Sequence, residues 1–140
     1  MDPAPHPQDL NQLITDFTER VPDVLHAAVI ASDGVPVAVS DGIRPDHVER
    51  LAAITSGLTG LAQAAARLLD DDALTQALVT MERATLVIMT IDDGASLAVL
   101  TSAAADLDLV AYEMALLVDQ AGSVVTLPAR GAARDAGSTA

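Results

Sequence analysis

The side chains that could carry out chemistry are few and scattered along the chain. The three histidines are His6 in a proline-rich start, His26 in an apolar run, and His47 near the start of a helix-like segment. No two of them have the spacing of metal ligands, and none stands in the pattern of a hydrolase triad. We therefore predict that no histidine is catalytic and that none binds a metal.

Two acidic clusters admit both a chemical and a structural interpretation. Residues 70–72 are all aspartate and could bind a hard cation, but they lack the alternating donors and final glutamate of a calcium loop. Asp92 and Asp93 could serve as acid and base, but they precede Gly94 between two strand-like runs, where turn residues are expected. A solvated helix end and a tight turn are the favoured interpretations.

Cysteine and a glycine-rich phosphate loop are also missing, so the sequence predicts no catalytic residue and no cofactor.

Composition and charge exclude further classes of function. The 140 residues amount to one domain, and 51% of them are apolar, which suffices for a single core. Twenty acidic residues against seven arginines and no lysine give a net charge of −13, and tryptophan is absent. Such a chain lacks both the basic surface that binds duplexes and the aromatic platforms that stack single-stranded bases, so we expect no nucleic-acid partner.

The sequence also indicates where the protein works. Its start, with three prolines by position 7, does not resemble a secretion signal. The longest uncharged stretch, residues 51–66, is shorter than a membrane span. We therefore expect a cytoplasmic protein that does not insert into a membrane.

The spacing of apolar residues predicts an alternation of helices and strands. Asp33-Gly34 has the composition of a hairpin turn, and Pro36 predicts that the second strand lies at a sheet edge. The predicted elements are a helix (10–21), two strands (24–32, 35–40), a long helix (45–69), three strands (75–82, 84–91, 95–101) and a last helix (106–120). We expect a flexible N-terminus over 1–7, a folded domain over 8–122 and a disordered tail over 123–140.

The long helix has two apolar faces and no charged residue between Arg50 and Arg67. Its large side chains recur at helical spacing, so we expect that stripe to face the sheet. The stripe consists of Leu51, Ile54, Leu58, Leu61, Ala65 and Leu68. A neighbouring face carries only small residues, namely Ala53, Gly57, Gly60 and Ala64. Each helical glycine costs about 1 kcal/mol relative to alanine, which favours a close backbone approach there. That neighbour is either a second copy of the chain or another part of the same chain.

The order of these elements resembles the roadblock domain, over roughly residues 8–122. The resemblance rests on the opening helix, the strand Ala27-Ala28-Val29-Ile30-Ala31 with Ser32-Asp33-Gly34, the uncharged helix around residues 57–61, and the strand Leu86-Val87-Ile88-Met89. It implies an α/β/α sandwich, with a central five-stranded, mostly antiparallel sheet, one long helix on one face and two helices on the other. The acidic, alanine-rich character is similar to the roadblock components of bacterial conservon operons.

The resemblance also implies a function and partners. It implies a non-enzymatic, homodimeric scaffold that binds a small Ras-like GTPase and modulates its nucleotide cycle, with a sensor-kinase-like protein as a further partner. Carried onto this chain, the dimer interface contains the small-residue face and a pairing edge, Leu78, Val79 and Thr80. The GTPase would contact Thr59, Gln63 and Arg67. Arg67 is also the one arginine well placed to act as a catalytic finger, although a contact role is favoured.

A second hypothesis belongs to a different class of function. In a small-molecule sensor of related α/β/α architecture, an apolar pocket between helix and sheet would hold a ligand. This hypothesis requires a cavity with inward polar groups, and His26 is the obvious candidate for one.

Overall fold

The computed structural model describes residues 7–70, 73–91 and 94–120. The described elements are helix α1 (Pro7–Arg20), strands β1 (Val24–Ile30) and β2 (Pro36–Val39), helix α2 (Pro45–Ala66) with a short 3-10 turn (Arg67–Leu69), strands β3 (Gln76–Thr80), β4 (Ala84–Thr90) and β5 (Ser96–Ser102), and helix α3 (107–120). Their order is the predicted one. The interpretations that concern His6, Asp71, Asp72, Asp92 and Asp93, and the tail over 123–140, lie outside the described residues.

The five strands form one sheet in the order β2-β1-β5-β4-β3. Each of its four pairings is antiparallel, which confirms the predicted five-stranded sheet. Strand β2, which begins at Pro36, lies at one edge, where a residue without an N–H group leaves the ladder intact. Strand β3 forms the other edge.

The β1–β2 connection is the hairpin that Asp33-Gly34 predicts. Gly34 has a φ of +88°, a conformation in which a side chain would be strained. The Ala31 N–H donates to the Val35 carbonyl at 2.9 Å, and the Val35 N–H donates to Asp33 Oδ1 at 3.1 Å. Local chemistry therefore closes this turn.

Helices α1 and α3 cover one face of the sheet and form the larger core. Leu10, Ile14 and Phe17 of α1 are completely buried. They share a cluster with residues of α3, chiefly Val110 and Met114, and with the side chains of β1, β4 and β5 that point to this face. The buried residues of α1 and α3 are those that recur at the helical period in the sequence. The predicted layer of two helices on this face of the sheet is confirmed.

Helix α2 covers the other face through small side chains. Ala52 of α2 is buried in a cluster with Ala28 and Ile30 of β1, and Thr55 is 1% exposed. Leu51 and Leu58 pack partly against a second cluster on β4 and β5. Small residues at the contact let the helix approach the sheet closely. Among the described helices, none is both long and apolar enough to cross a lipid bilayer.

The expectation that the large apolar stripe of α2 faces the sheet is wrong for most of its length. Ile54, Leu61 and Leu68 are 51%, 74% and 82% exposed, and Ala65 is exposed as well. The helix is rotated so that Ala52 and Thr55 point inward. Ile54, Leu61 and Leu68 therefore lie on the outer surface of the described chain, whereas Leu51 and Leu58 keep partial contact with the sheet.

Strand β1 contains a register shift near its start. Val24 pairs with Thr101, whereas His26 pairs with Leu100, so Leu25 has no partner of its own on β5. Such a bulge breaks the alternation of faces. As a result Val24 joins the core beneath α1 and α3, while His26 lies on the α2 side of the sheet.

Candidate protein interaction site

The small-residue face of α2 (Ala53, Gly57, Gly60 and Ala64) points away from the sheet, and all four residues are exposed. A Cβ atom built on Gly57 or Gly60 would meet nothing within 4 Å. The described chain therefore does not pack against these glycines. Of the two interpretations left open by the sequence, internal packing against Gly57 and Gly60 has no counterpart among the described residues.

Large apolar side chains border the small-residue face. Ile54, Leu61 and Leu68 project beside it, and the helix carries no charge from Leu51 to Ala66. Exposed apolar area that is continuous and uncharged is typical of a surface that another protein covers. The sequence did not identify these three residues as exposed, because their helical spacing fits a stripe that faces the sheet equally well.

Strand β3 offers an edge for strand pairing. The Met81 N–H donates to the Ala84 carbonyl, and the Thr90 N–H donates to the Thr75 carbonyl. Because bonded residues alternate in an antiparallel pair, the backbone groups of Leu78 and Thr80 point away from β4, toward the open edge. The Leu78 side chain is also 49% exposed.

Val79 differs from its two neighbours in the predicted pairing edge. It pairs with Leu86 of β4 and, by the same alternation, directs its backbone groups inward. Its side chain lies with Leu86 in a groove between α2 and the sheet. The backbone groups of Leu78 and Thr80 therefore lie at the open edge of the sheet, and Val79 lies beneath the long helix.

The residues expected to contact a GTPase form one line along α2. Thr59, Gln63 and Arg67 follow at every fourth position, and a helix places such residues on one face. Thr59 and Gln63 line a polar cavity of about 230 Å³, and Gln63 and Arg67 line a second one of about 340 Å³. Gly94, next to β5, contributes to both cavities. These three side chains thus share a polar surface at one end of the sheet.

The Thr59 hydroxyl donates to the Ser56 carbonyl at 3.1 Å, so part of this surface is ordered by the helix itself. Arg67 is exposed and forms no ion pair with another described residue. Thr55, next to the same cavity, has a buried hydroxyl without a hydrogen-bond partner. The surface can offer hydroxyl, amide and guanidinium groups to a partner.

His26, the residue singled out by the sensor hypothesis, does line an apolar cavity. The groove between α2 and the sheet has a volume of about 460 Å³. Nδ1 of His26 is buried without a hydrogen-bond partner. His47 and Arg50 line the same groove, and sequence reasoning missed them because they precede the uncharged part of the helix. Within the described residues, no group of three or more His, Asp or Glu side chains could hold a metal ion.

The architecture defines the chain as an α/β/α sandwich in which one long helix faces a pair of helices across an antiparallel sheet. The Roadblock/LC7 domain model matches residues 10–101. The chain therefore belongs to the Roadblock/LC7 domain family, as the order of its elements predicts.

Solved structures agree with this assignment. The chain is similar to a Roadblock/LC7 domain from Streptomyces avermitilis, with 33% identity and a TM-score of 0.75 over 79% of this chain and 92% of the other. A further Roadblock/LC7 domain from that organism is 40% identical, with a TM-score of 0.67 over 79% and 96% of the two chains. Myxococcus xanthus MglB shares the fold at 13% identity, with a TM-score of 0.78 over 89% and 92%. No curated protein sequence matches the chain.

Proposed function

We propose that the chain is a non-enzymatic, homodimeric scaffold that binds a small Ras-like GTPase and modulates its nucleotide cycle. The observation that carries this proposal is the uncharged outward face of α2 beside the open edge of β3. Described side chains leave both surfaces uncovered. Family membership supports the assignment to a regulatory rather than a catalytic protein.

The dimer would combine two kinds of contact. The small-residue face allows two α2 helices to approach closely, because Gly57 and Gly60 present only backbone to a partner. Leu61 and Leu68 would lose their exposed apolar surface in the same contact. Strand pairing through Leu78 and Thr80 would continue the sheet into a second copy and remove its open edge. One MglB structure, 17% identical to this chain, is described as having a tetrameric arrangement, which supports self-association as a property worth testing.

The GTPase would bind along Thr59, Gln63 and Arg67, a line of residues that borders the small-residue face, since Gly60 lines the same cavity as Thr59 and Gln63. A scaffold shifts a nucleotide cycle when it binds one switch conformation more tightly than the other. Hydroxyl and amide groups suit the polar surface of a folded partner, and Arg67 can pair with an acidic side chain. We place the protein in the cytoplasm, and a sensor-kinase-like protein is a further partner under this proposal.

The direct test measures binding of small Ras-like GTPases encoded near this chain's gene, each loaded with GDP or with a non-hydrolysable GTP analogue. We expect one GTPase to bind with at least about tenfold preference for one nucleotide state. Gln63→Ala should weaken that binding, whereas Gln12→Ala on α1, across the sheet, should leave it unchanged. Absence of binding by every GTPase in both states would refute the proposal.

A further inference from the structure

The two edges of the sheet differ in what covers their backbone groups. At the β2 edge, the Ser40 N–H donates to the Ala27 carbonyl at 2.9 Å, so Ser40 is a bonded position of the β1–β2 pair. Because bonded positions alternate in an antiparallel pair, the N–H groups on either side of it, those of Val39 and Asp41, point away from β1. An edge strand normally leaves such groups free to bond with another strand.

Helix α1 supplies an acceptor for each of these two N–H groups. The Val39 N–H donates to Asn11 Oδ1 at 3.1 Å. The Asp41 N–H donates to Thr15 Oγ1 at 3.2 Å. Asn11 and Thr15 are four residues apart, so they lie on the same face of α1 and reach the same strand. Thr15 is also buried, which holds its hydroxyl in place beside β2.

Pro36 removes a further donor from the same edge. The Ala31 N–H donates to the Val35 carbonyl at 2.9 Å, so Val35 is a bonded position and the next residue, Pro36, faces outward. Proline has no N–H group to offer there. The outward positions at residues 36, 39 and 41 therefore lack a free N–H group.

The opposite edge has no such cover. The N–H groups of Leu78 and Thr80 point away from β4, and no side chain of the described residues bonds to them. Copies of a sheet with two different open edges can join head to tail and grow into a fibre, whereas copies with one open edge can only close as a pair. The cover over β2 therefore limits the kind of assembly that strand pairing can build.

We propose that Asn11 and Thr15 form an edge clasp that prevents copies of this chain from joining through β2. The strand that the clasp excludes is an edge strand of a second copy, because its backbone groups would otherwise bond with Val39 and Asp41. Strand pairing is then left to the β3 edge. The inference concerns β2 alone, so it does not depend on GTPase binding.

The test compares the unaltered protein with a double variant that carries Asn11→Ala and Thr15→Ala, by sedimentation velocity over a range of protein concentrations. Alanine removes both acceptors and opens space beside β2. We expect the weight-average mass of the double variant to rise with concentration to at least about twice that of the unaltered protein, because its units then join.

A second pair of substitutions on the same helix is the matched control. Gln12 donates to Asp16, and the Thr18 hydroxyl donates to the Thr15 carbonyl, so neither side chain bonds to β2. A variant that carries Gln12→Ala and Thr18→Ala should keep the mass of the unaltered protein. An unchanged mass of the clasp variant, or equal growth of the control variant, would overturn the proposal.

A third substitution separates strand pairing from misfolding. Val39→Pro removes the outward N–H of residue 39 and breaks no bond of the β1–β2 ladder. Added to the clasp variant, it should return the mass to that of the unaltered protein. Proline would not reverse the association of misfolded chains, so a mass that stays high in the triple variant would also overturn the proposal.

Discussion

Ala52 of helix α2 and Ala28 of strand β1 lie in one buried cluster, 3% and 0% exposed, so small side chains set the distance between the long helix and the sheet. We expect Ala52→Leu to overfill this contact and to lower the free energy of unfolding by about 1–3 kcal/mol. Ala115→Leu, at an exposed position of α3, should change it by less than about 0.5 kcal/mol. Urea denaturation of the two variants measures the difference, and equal stabilities would contradict the close contact.

The buried hydroxyl of Thr55 has no hydrogen-bond partner. Thr55→Val removes this hydroxyl and keeps the shape, so we expect the free energy of unfolding to rise by about 1 kcal/mol. Thr101 is equally buried, but its hydroxyl donates to the Ser102 carbonyl at 3.0 Å. Thr101→Val should therefore destabilise the protein by a similar amount. Thermal or urea unfolding measures both changes in the free energy of unfolding. If the two changes have the same sign, the Thr55 hydroxyl is not unpaired.

Gly60 tests the proposed contact between two long helices. A Cβ atom at this position meets nothing within 4 Å in the described chain, so a side chain there begins in open space. We expect Gly60→Leu to weaken dimerisation at least about tenfold, because it separates the two backbones. Sedimentation equilibrium measures the shift toward monomer, with Ala115→Leu as the control. An unchanged dimer mass would exclude the small-residue face from the interface.

Thr80 tests the strand edge separately. Its N–H group points away from β4, so proline at this position removes a bond to a partner strand without removing one from the sheet. We expect Thr80→Pro to weaken the dimer at least about tenfold, whereas Thr80→Val, which keeps the N–H group, should not. The same sedimentation experiment applies. If both variants remain dimeric, the copies do not pair through β3.

Arg67 distinguishes a docking residue from a catalytic finger. We expect Arg67→Ala to weaken binding of the GTPase but to change the hydrolysis rate at saturating scaffold by less than about tenfold. Loss of a true arginine finger would lower that rate by about a thousandfold or more. Single-turnover GTP hydrolysis over a range of scaffold concentrations separates the two effects. A thousandfold loss at saturation would make Arg67 a catalytic residue.

Local chemistry explains why most of the fold could be predicted from the sequence. Leu10, Ile14 and Phe17 repeat at the helical period and are buried, because a single sheet face lies beneath them. Asp33-Gly34 forms its turn for reasons contained in those two residues, and Pro36 marks an edge because it lacks a donor. In each case the cause lies within a few residues of the effect.

The orientation of α2 could not be predicted in the same way. Periodicity identifies a face that avoids water, but it does not say whether the chain's own sheet or another molecule covers that face. Leu61 and Leu68 follow the helical period as well as any core residue, yet they are exposed in the described chain. The groove lined by Arg50 was equally hidden, because its walls come from separate strands and a helix.

The register shift in β1 has a consequence for how the chain can vary in length. Leu25 is the supernumerary residue between two paired positions, since Val24 and His26 face consecutive residues of β5. A chain lacking Leu25 would run as a regular ladder while keeping Val24 in one layer and His26 in the other. We expect a one-residue deletion to be tolerated at this point, whereas the same deletion further along β1 would send every following side chain to the opposite layer.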